Sequence, residues 1–404
     1  MNIWYISKYA SPSKYFFGTR HFYFAEEWVK SGNNVTVITS NSSHLSDNLP
    51  VFKGLKYVEV INGVTTVWLN IFKSKSSTSF SRILSWIHFD LILLLFSKRK
   101  LSKPDVIIVS SLALTTVIPA IILSAIYRSK FIFEVRDIWP LSIIKLGGYK
   151  ASNPLVKVLS WIEKFGYEKA NLIIGTMPNL EEHVKNITLK YKKCICVPQG
   201  LSMSFYNNDQ VELTKEYVEE HIPKNKFLVC YAGTVNVNNP LQTFISAARI
   251  LKDNSNIHFV ILGNGTQKKQ LADESSDLSN ISFPPPINKA QVNSFLNHVH
   301  VCYDSFESDL AKYGLSRNKW IDYMYASKPI ICSYDGFQSM INEANCGVFV
   351  KYNDPNELAS VVLKYSQMEP SEIQQMGSNG HKFLKEKRTF EVLAAQYLHA
   401  IKIS

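Results

Sequence analysis

No Cys-x-x-Cys pair occurs among the six cysteines, Cys194, Cys196, Cys230, Cys302, Cys332 and Cys346. Several of them sit inside apolar, strand-like runs, so the six read as buried thiols in a reducing compartment. No Asp-x-Asp, no Gly-x-Ser-x-Gly and no Cys/His nucleophile signature is present, and the histidines form no spaced ligand set. His21, His183 and His381 accordingly read as solvated side chains. No charged leader precedes a hydrophobic cleavage region; Met1 to Ile6 instead reads as a strand, which argues against secretion. Short-period repeats, low-complexity tracts and long cation runs are also missing. The 20 tyrosines and 23 phenylalanines scatter at core-like spacings and build no base-stacking platform.

What the chain has is length and a basic balance. Its 404 residues suggest two domains, and 46% hydrophobic against 19% charged residues fits a folded globular protein. The net charge of +11 favours anionic partners: nucleotide phosphates, acidic lipid headgroups or nucleic acid. No recognised motif supports nucleic-acid binding, and that partner is not expected.

Two apolar stretches bear on membranes. Residues 106–127 carry no charge over a length that would span a bilayer. Ser110-Ser111 breaks the run, however, and strand, turn and buried helix in succession is the better reading. Residues 83–96 contain His88 and Asp90 and run into Lys98-Arg99-Lys100. That pattern suits either a core helix or a helix lying on an anionic membrane.

Short apolar strands alternate with helical patterns along the whole chain. Strand candidates are 3–6, 35–39, 57–61, 64–68, 105–109, 131–135, 172–175 and 194–197, then 227–232, 258–262, 281–283, 299–304, 329–332 and 347–350. A βαβ signature repeated in two halves predicts an α/β protein with two parallel sheets, helices on both faces and ligands at the carboxyl ends of the strands. The expected division is 1–200, 201–388 and a final helix over 389–404 that packs back on the first domain.

The most informative segment is Tyr313-Gly314-Leu315-Ser316-Arg317-Asn318-Lys319-Trp320-Ile321-Asp322-Tyr323-Met324, followed by Lys328-Pro329-Ile330-Ile331. It reads as a helix that opens after a glycine, is capped near Ser316 and carries cations in its first turn. Unpaired amides and the partial positive charge of a helix start stabilise a phosphate, and Arg317 and Lys319 strengthen that site. Asp322 follows Lys319 by about 4.5 Å along the axis, where an acid can accept from sugar hydroxyls. The segment is either a sugar-nucleotide clamp or an ordinary amphipathic helix with surface charges.

Several motifs then line up as they do in GT-B glycosyltransferases. Gly18-Thr19-Arg20 before a helix, with Gly32-Asn33-Asn34-Val35-Thr36-Val37-Ile38-Thr39, resembles an opening glycine loop and the strand after it. Glu134-Val135-Arg136-Asp137-Ile138-Trp139-Pro140 looks like the Arg-Asp-x-Trp-Pro form of lipopolysaccharide and capsule enzymes. Pro198-Gln199-Gly200, Tyr231-Ala232-Gly233-Thr234 and Leu262-Gly263-Asn264-Gly265 are similar to the turns that end the first domain and open the nucleotide-binding one. The whole resembles retaining enzymes of glycosyltransferase family 4 that extend bacterial surface polysaccharides such as O-antigen and capsule.

That resemblance implies a GT-B fold, two Rossmann-like domains with parallel sheets facing a central cleft. It implies that Ser316, Asn318 and Lys319 hold the donor diphosphate, that Gly314 and Leu315 also bind the donor, and that Asp322 takes the ribose. Gly233, Thr234, Gly263 and Gly265 would line the donor, while Gly18 and Arg20 border the phosphates or acceptor. Arg136 stands where many relatives carry a histidine near the donor sugar, and Asp137 would orient that region; a structural ion pair between the two is the alternative. No cation lies between Thr234 and Pro240, so Arg317, Lys319 and Arg20 would neutralise the leaving group. Counting back from Asp322 for the family's first acid lands on Gly314, which leaves Glu307 or Asp309 as substitutes.

The implied activity is retaining, hexosyl or N-acetylhexosaminyl transfer from a UDP-linked sugar to a polyprenyl-diphosphate-linked saccharide. The implied location is cytoplasmic, peripheral on the inner face of the membrane, with no essential metal. A GT-B sugar-nucleotide epimerase and a non-catalytic partner with the same fold are the alternatives.

Overall fold

The computed structural model describes residues 1–15, 19–43, 48–72, 80–145, 147–237, 239–307 and 309–404. They form two compact units, Met1–Pro198 with Phe390–Ser404, and Gln199–Thr389.

In the first unit the strands are β1 (Asn2–Ile6), β2 (Asn34–Ser40), β3 (Lys56–Ile61), β4 (Val64–Leu69), β5 (Val106–Ser110), β6 (Lys130–Val135), β7 (Leu172–Gly175) and β8 (Cys194–Cys196). They make one sheet in the order β3-β4-β2-β1-β5-β6-β7-β8. Its helices are α1 (Arg20–Lys30), α2 (Phe80–Leu95), α3 (Val117–Tyr127), α4 (Leu141–Lys145), α5 (Pro154–Lys169) and α6 (Leu180–Thr188). Every residue of β5 is buried, as a strand covered on both faces requires. The run over residues 106–127 is thus strand, turn and helix, and no helix among the described residues is long and apolar enough to cross a membrane.

One expectation about this sheet fails. β3 and β4 pair antiparallel, because only Asn62 and Gly63 separate them. Their φ angles of 50° and 79° are those of a two-residue hairpin, and so short a loop leaves no room for a parallel crossover.

The second unit contains α7 (Met203–Asn208), α8 (Lys215–His221), α9 (Gln242–Ile250), α10 (Lys268–Glu274), α11 (Val292–Asn297), α12 (Asn318–Tyr325), α13 (Pro355–Ser366) and α14 (Pro370–Lys387). Its strands are β9 (Phe227–Ala232), β10 (Ile257–Leu262), β11 (Ile281–Ser282), β12 (Val301–Ser305), β13 (Ile330–Ser333) and β14 (Gly347–Val350). All pair in parallel, in the order β11-β10-β9-β12-β13-β14. The direction of winding reverses between β9 and β12, and at that switch point the loops leaving the two strands diverge and open a crevice.

The last helix, α15 (Phe390–Lys402), belongs to the first unit, where Phe390, Leu393, Tyr397 and Ile401 share a core with Phe24 and Trp28 of α1. The Trp28 indole donates to the carbonyl of Ala394 at 3.2 Å. Of the thiols, Cys230, Cys302, Cys332 and Cys346 are buried, whereas Cys194 is half-buried and Cys196, on the edge strand β8, is exposed.

Candidate active site

At the switch point of the second sheet, β9 runs out at Ala232 and β12 at Ser305, and α12 begins beside both. Trp320, Ile321, Tyr323 and Met324 bury one side of this short helix. Tyr323 fixes it to the strand ends: its hydroxyl accepts from the amide of Ala232 at 2.9 Å and donates to that residue's carbonyl at 3.1 Å. The N-cap is Arg317, in extended conformation, and no side chain caps the first turn. Ser316 does not serve as the expected cap, because its hydroxyl accepts from the amide of Gln199 at 2.7 Å. The first-turn amides therefore lack a side-chain acceptor, the condition under which a helix start holds an anion.

The cations beside those amides are held by Asp304, a fully buried residue near the end of β12. One carboxylate oxygen accepts from Lys319 Nζ at 2.9 Å; the other pairs with Arg317 Nε at 2.8 Å and accepts from the Trp320 indole at 2.8 Å. Lys319 Nζ also donates to the Tyr231 hydroxyl at 2.9 Å, and the Arg317 guanidinium donates to Asn239 Oδ1. Burial lowers the Lys319 ammonium to about 8, with Asp304 opposing the fall and Arg317 adding to it. Two cations share one buried anion here, so the cluster keeps a surplus positive charge.

Gly233 sits against this cluster. A Cβ there would lie 3.2 Å from Lys319 Cε and 3.3 Å from Nζ. The next glycine turn nests on it: the Gly233 amide donates to Leu262 O at 3.0 Å, and Gly263 has φ +141° with its Cα against the Gly233 carbonyl. Thr234 is exposed, and its carbonyl accepts from Tyr231 at 2.7 Å and Asn239 at 3.0 Å. Past Gly265, Lys268 Nζ ties the turn together by donating to Gly263 O at 3.0 Å and Pro284 O at 2.6 Å.

Gly314 has the positive φ of 85° that the entry to α12 requires, Leu315 is buried behind it, and Asn318 is exposed at the first helical position. Asp322 accepts from Tyr206 Oη and Lys289 Nζ and shares neither partner with Lys319. Glu307 accepts from the Tyr352 hydroxyl at 2.7 Å, and both Glu307 and Asp309 are exposed. The acid that holds the cations is Asp304. Its signal in the sequence was a lone charge near the end of an otherwise apolar strand.

In the first unit, Gly18 lies outside the described residues. Arg20 is buried, and all three of its nitrogens are engaged: with Glu134 at 3.3 Å and with the carbonyls of Pro198 and Val197 at 2.5 and 2.6 Å. Burial pushes the Glu134 carboxyl up, but Arg20, His21, Arg136 and the Tyr5 hydroxyl at 2.7 Å outweigh it and hold it below the ordinary range. Arg20 thus organises the carboxyl edge of this sheet. His21 and His183, expected in solvent, are buried on Ser110 at 3.0 Å and Glu163 at 2.7 Å; His381 is half-buried on the Tyr325 carbonyl at 2.7 Å. Each imidazole lies on the inner side of a helix, where a polar partner compensates burial. No ion pair joins Arg136 to Asp137. Asp137 instead accepts from the Trp139 indole at 3.1 Å and from the Ser142 hydroxyl, while Arg136 Nε is buried without a hydrogen-bond partner.

Residues 226–367 match the family described as glycosyl transferases group 1. Among solved structures, the sucrose-phosphate synthase of Thermosynechococcus elongatus is similar over all of both chains, at 16% identity and a TM-score of 0.70. An E. coli structure described as trehalose-6-phosphate bound with UDP-2-fluoro glucose is similar at 10% identity and a TM-score of 0.72, covering 100% of this chain and 99% of that one. Anabaena HepE in complex with UDP and glucose is similar at 10% identity and a TM-score of 0.65, over all of both chains. No curated protein matches the sequence. At these identities the structural likeness establishes the fold. The chain has the GT-B fold of two Rossmann-like domains, and by its group 1 domain it is a glycosyltransferase.

Proposed function

We propose that this enzyme transfers a sugar, with retention of anomeric configuration, from a UDP-linked donor to a polyprenyl-diphosphate-linked saccharide in the assembly of a bacterial surface polysaccharide. The observation that carries the reading is the Asp304-anchored pair Arg317 and Lys319 at the uncapped start of α12, beside Gly233. Breaking the anomeric C–O bond builds negative charge on the departing diphosphate. Preorganised donors in a desolvated site stabilise that charge most effectively, and the two cations with the first-turn amides supply them. We assign those cations the electrostatic role that a metal ion plays in other transferases. Solved structures of similar fold hold UDP or a UDP sugar, which supports the choice of nucleotide. Asp322, carried on the same helix, is assigned to the ribose, and the carboxyl edge of the first sheet, with Arg136 and Asp137, to the sugar and acceptor. The basic balance of the chain suits a peripheral position on the inner face of the membrane, where such an acceptor resides.

The test combines purified protein, UDP sugars and a polyprenyl-diphosphate-linked acceptor, with the product's anomeric configuration read by NMR. Transfer with retention is expected. An inverted product, or no transfer from any nucleotide sugar, overturns the proposal.

A further inference from the structure

The helical layer on one face of the first sheet has an outer surface unlike that of an ordinary soluble domain. Strands β5, β6 and β7 follow one another in parallel, so the right-handed connections put α3 and α5 on the same face, and α3 packs against both α2 and α5. The helix α3 contains no charged residue, and its outward positions Ile122 and Ile126 are 42% and 66% exposed. On α2 the outward stripe is Ile87, Leu91 and Leu95, at helical spacing and 44%, 52% and 73% exposed. On α5 the outward Trp161 is 60% exposed. Three adjacent helices thus present apolar side chains to solvent where charged ones are the rule.

Cations border that surface. Helices that return between parallel strands end together, at the amino edge of the sheet, and there Arg99 and Lys100 follow α2 and Arg128 ends α3; all three are exposed. Lys157 and Lys164, also exposed, flank Trp161 one turn to either side. Glu168 is an exposed acid on α5, and Asp90, the acid on α2, is buried. An indole between lysines beside an apolar field is the pattern of a surface seated at a lipid headgroup boundary. A second copy of the chain would bring this basic border against another like it, and a nucleic acid would find no base-reading groups on isoleucine and leucine.

We propose that the α2–α3–α5 face docks on an anionic lipid bilayer, with the apolar field at the acyl boundary and the cations among the headgroups. The inference deepens the lipid-acceptor reading and rests on it for its purpose, not for its geometry. It is tested by co-sedimentation of the full chain with phosphatidylcholine vesicles, with and without phosphatidylglycerol. Binding is expected to need the anionic lipid and to weaken with salt. Leu91→Glu with Ile126→Glu is expected to lower the bound fraction by about tenfold or more, and Arg99→Gln with Lys100→Gln to lower it less. A UDP thermal shift equal to that of the parent shows that each variant is folded. Equal sedimentation of parent and Glu variant, or none of the parent on anionic vesicles, overturns the inference. So does a concentration-dependent dimer that the Glu variant abolishes, since it assigns the face to a second copy. Vesicle binding without turnover of a lipid-linked acceptor counts against the proposed acceptor alone.

Discussion

Asp304 and Lys319 meet at 2.9 Å at the carboxyl edge of the second sheet, and the same carboxylate holds Arg317 at 2.8 Å. This one buried anion fixes where the two cations that we propose meet the leaving group stand before any donor arrives. A flexible lysine and arginine would otherwise have to be ordered during binding, at a cost in side-chain entropy.

Asp304→Asn is expected to keep the shape of the site and lose its anchor. Removing one partner of a buried charge pair costs roughly 3 kcal/mol, and urea denaturation of the variant reads that loss. Turnover should fall more than donor affinity, because the misplaced cations matter most where charge develops.

Activity should depend on the Lys319 charge. With the ammonium at about 8, it is protonated below that pH and neutral above it, so kcat/KM for the donor is expected to decline as pH rises through about 8. The Asp304 carboxylate is what opposes a further fall. In Asp304→Asn the alkaline limb should therefore move to lower pH, and a pH profile of both proteins checks this.

At Gly263, φ of +141° combines with a Cβ position only 1.9 Å from the Gly233 carbonyl. Gly263→Ala is expected to destabilise by about 2 kcal/mol or more, and to weaken UDP binding by shifting Gly233 against Lys319. Chemical denaturation and nucleotide titration measure the two effects separately.

Glu134→Gln should leave the buried Arg20 without its counter-charge. Because Glu134 is held below the ordinary carboxylate range, its contribution is present above the unfolded-state pKa and lost as pH falls through the lower folded value. The variant is expected to be less stable at neutral pH by about 3 kcal/mol, and the difference from the parent should shrink in acid. Denaturation at several pH values tests both statements.

The alternation of short β-branched runs with amphipathic stretches made the strands legible. All fourteen strand candidates correspond to strands of the two sheets, and the chain has the expected α/β class. The antiparallel edge was also within reach, since Asn62-Gly63 between two strands is a hairpin signal that the repeated βαβ pattern overrode. Tertiary partners were not legible. Ser316 looks like a cap by residue type, yet Gln199, far away in the chain, takes its hydroxyl. Asp304 ends a run that reads as core, and only the fold turns Arg317, Lys319 and Trp320 towards it. Asn239 carries no local signal, and Tyr231 only its place in a glycine-turn motif, because their contacts with Lys319 and Arg317 depend on loops that meet only in three dimensions.

The most direct measurement is calorimetric titration of UDP into the parent and into Arg317→Ala with Lys319→Ala. If the start of α12 docks the diphosphate, the parent binds UDP and the double variant binds it weaker by roughly a hundredfold, with uridine alone, which lacks the phosphates, nearly indifferent to the change. Equal UDP affinity in the two proteins would contradict the account.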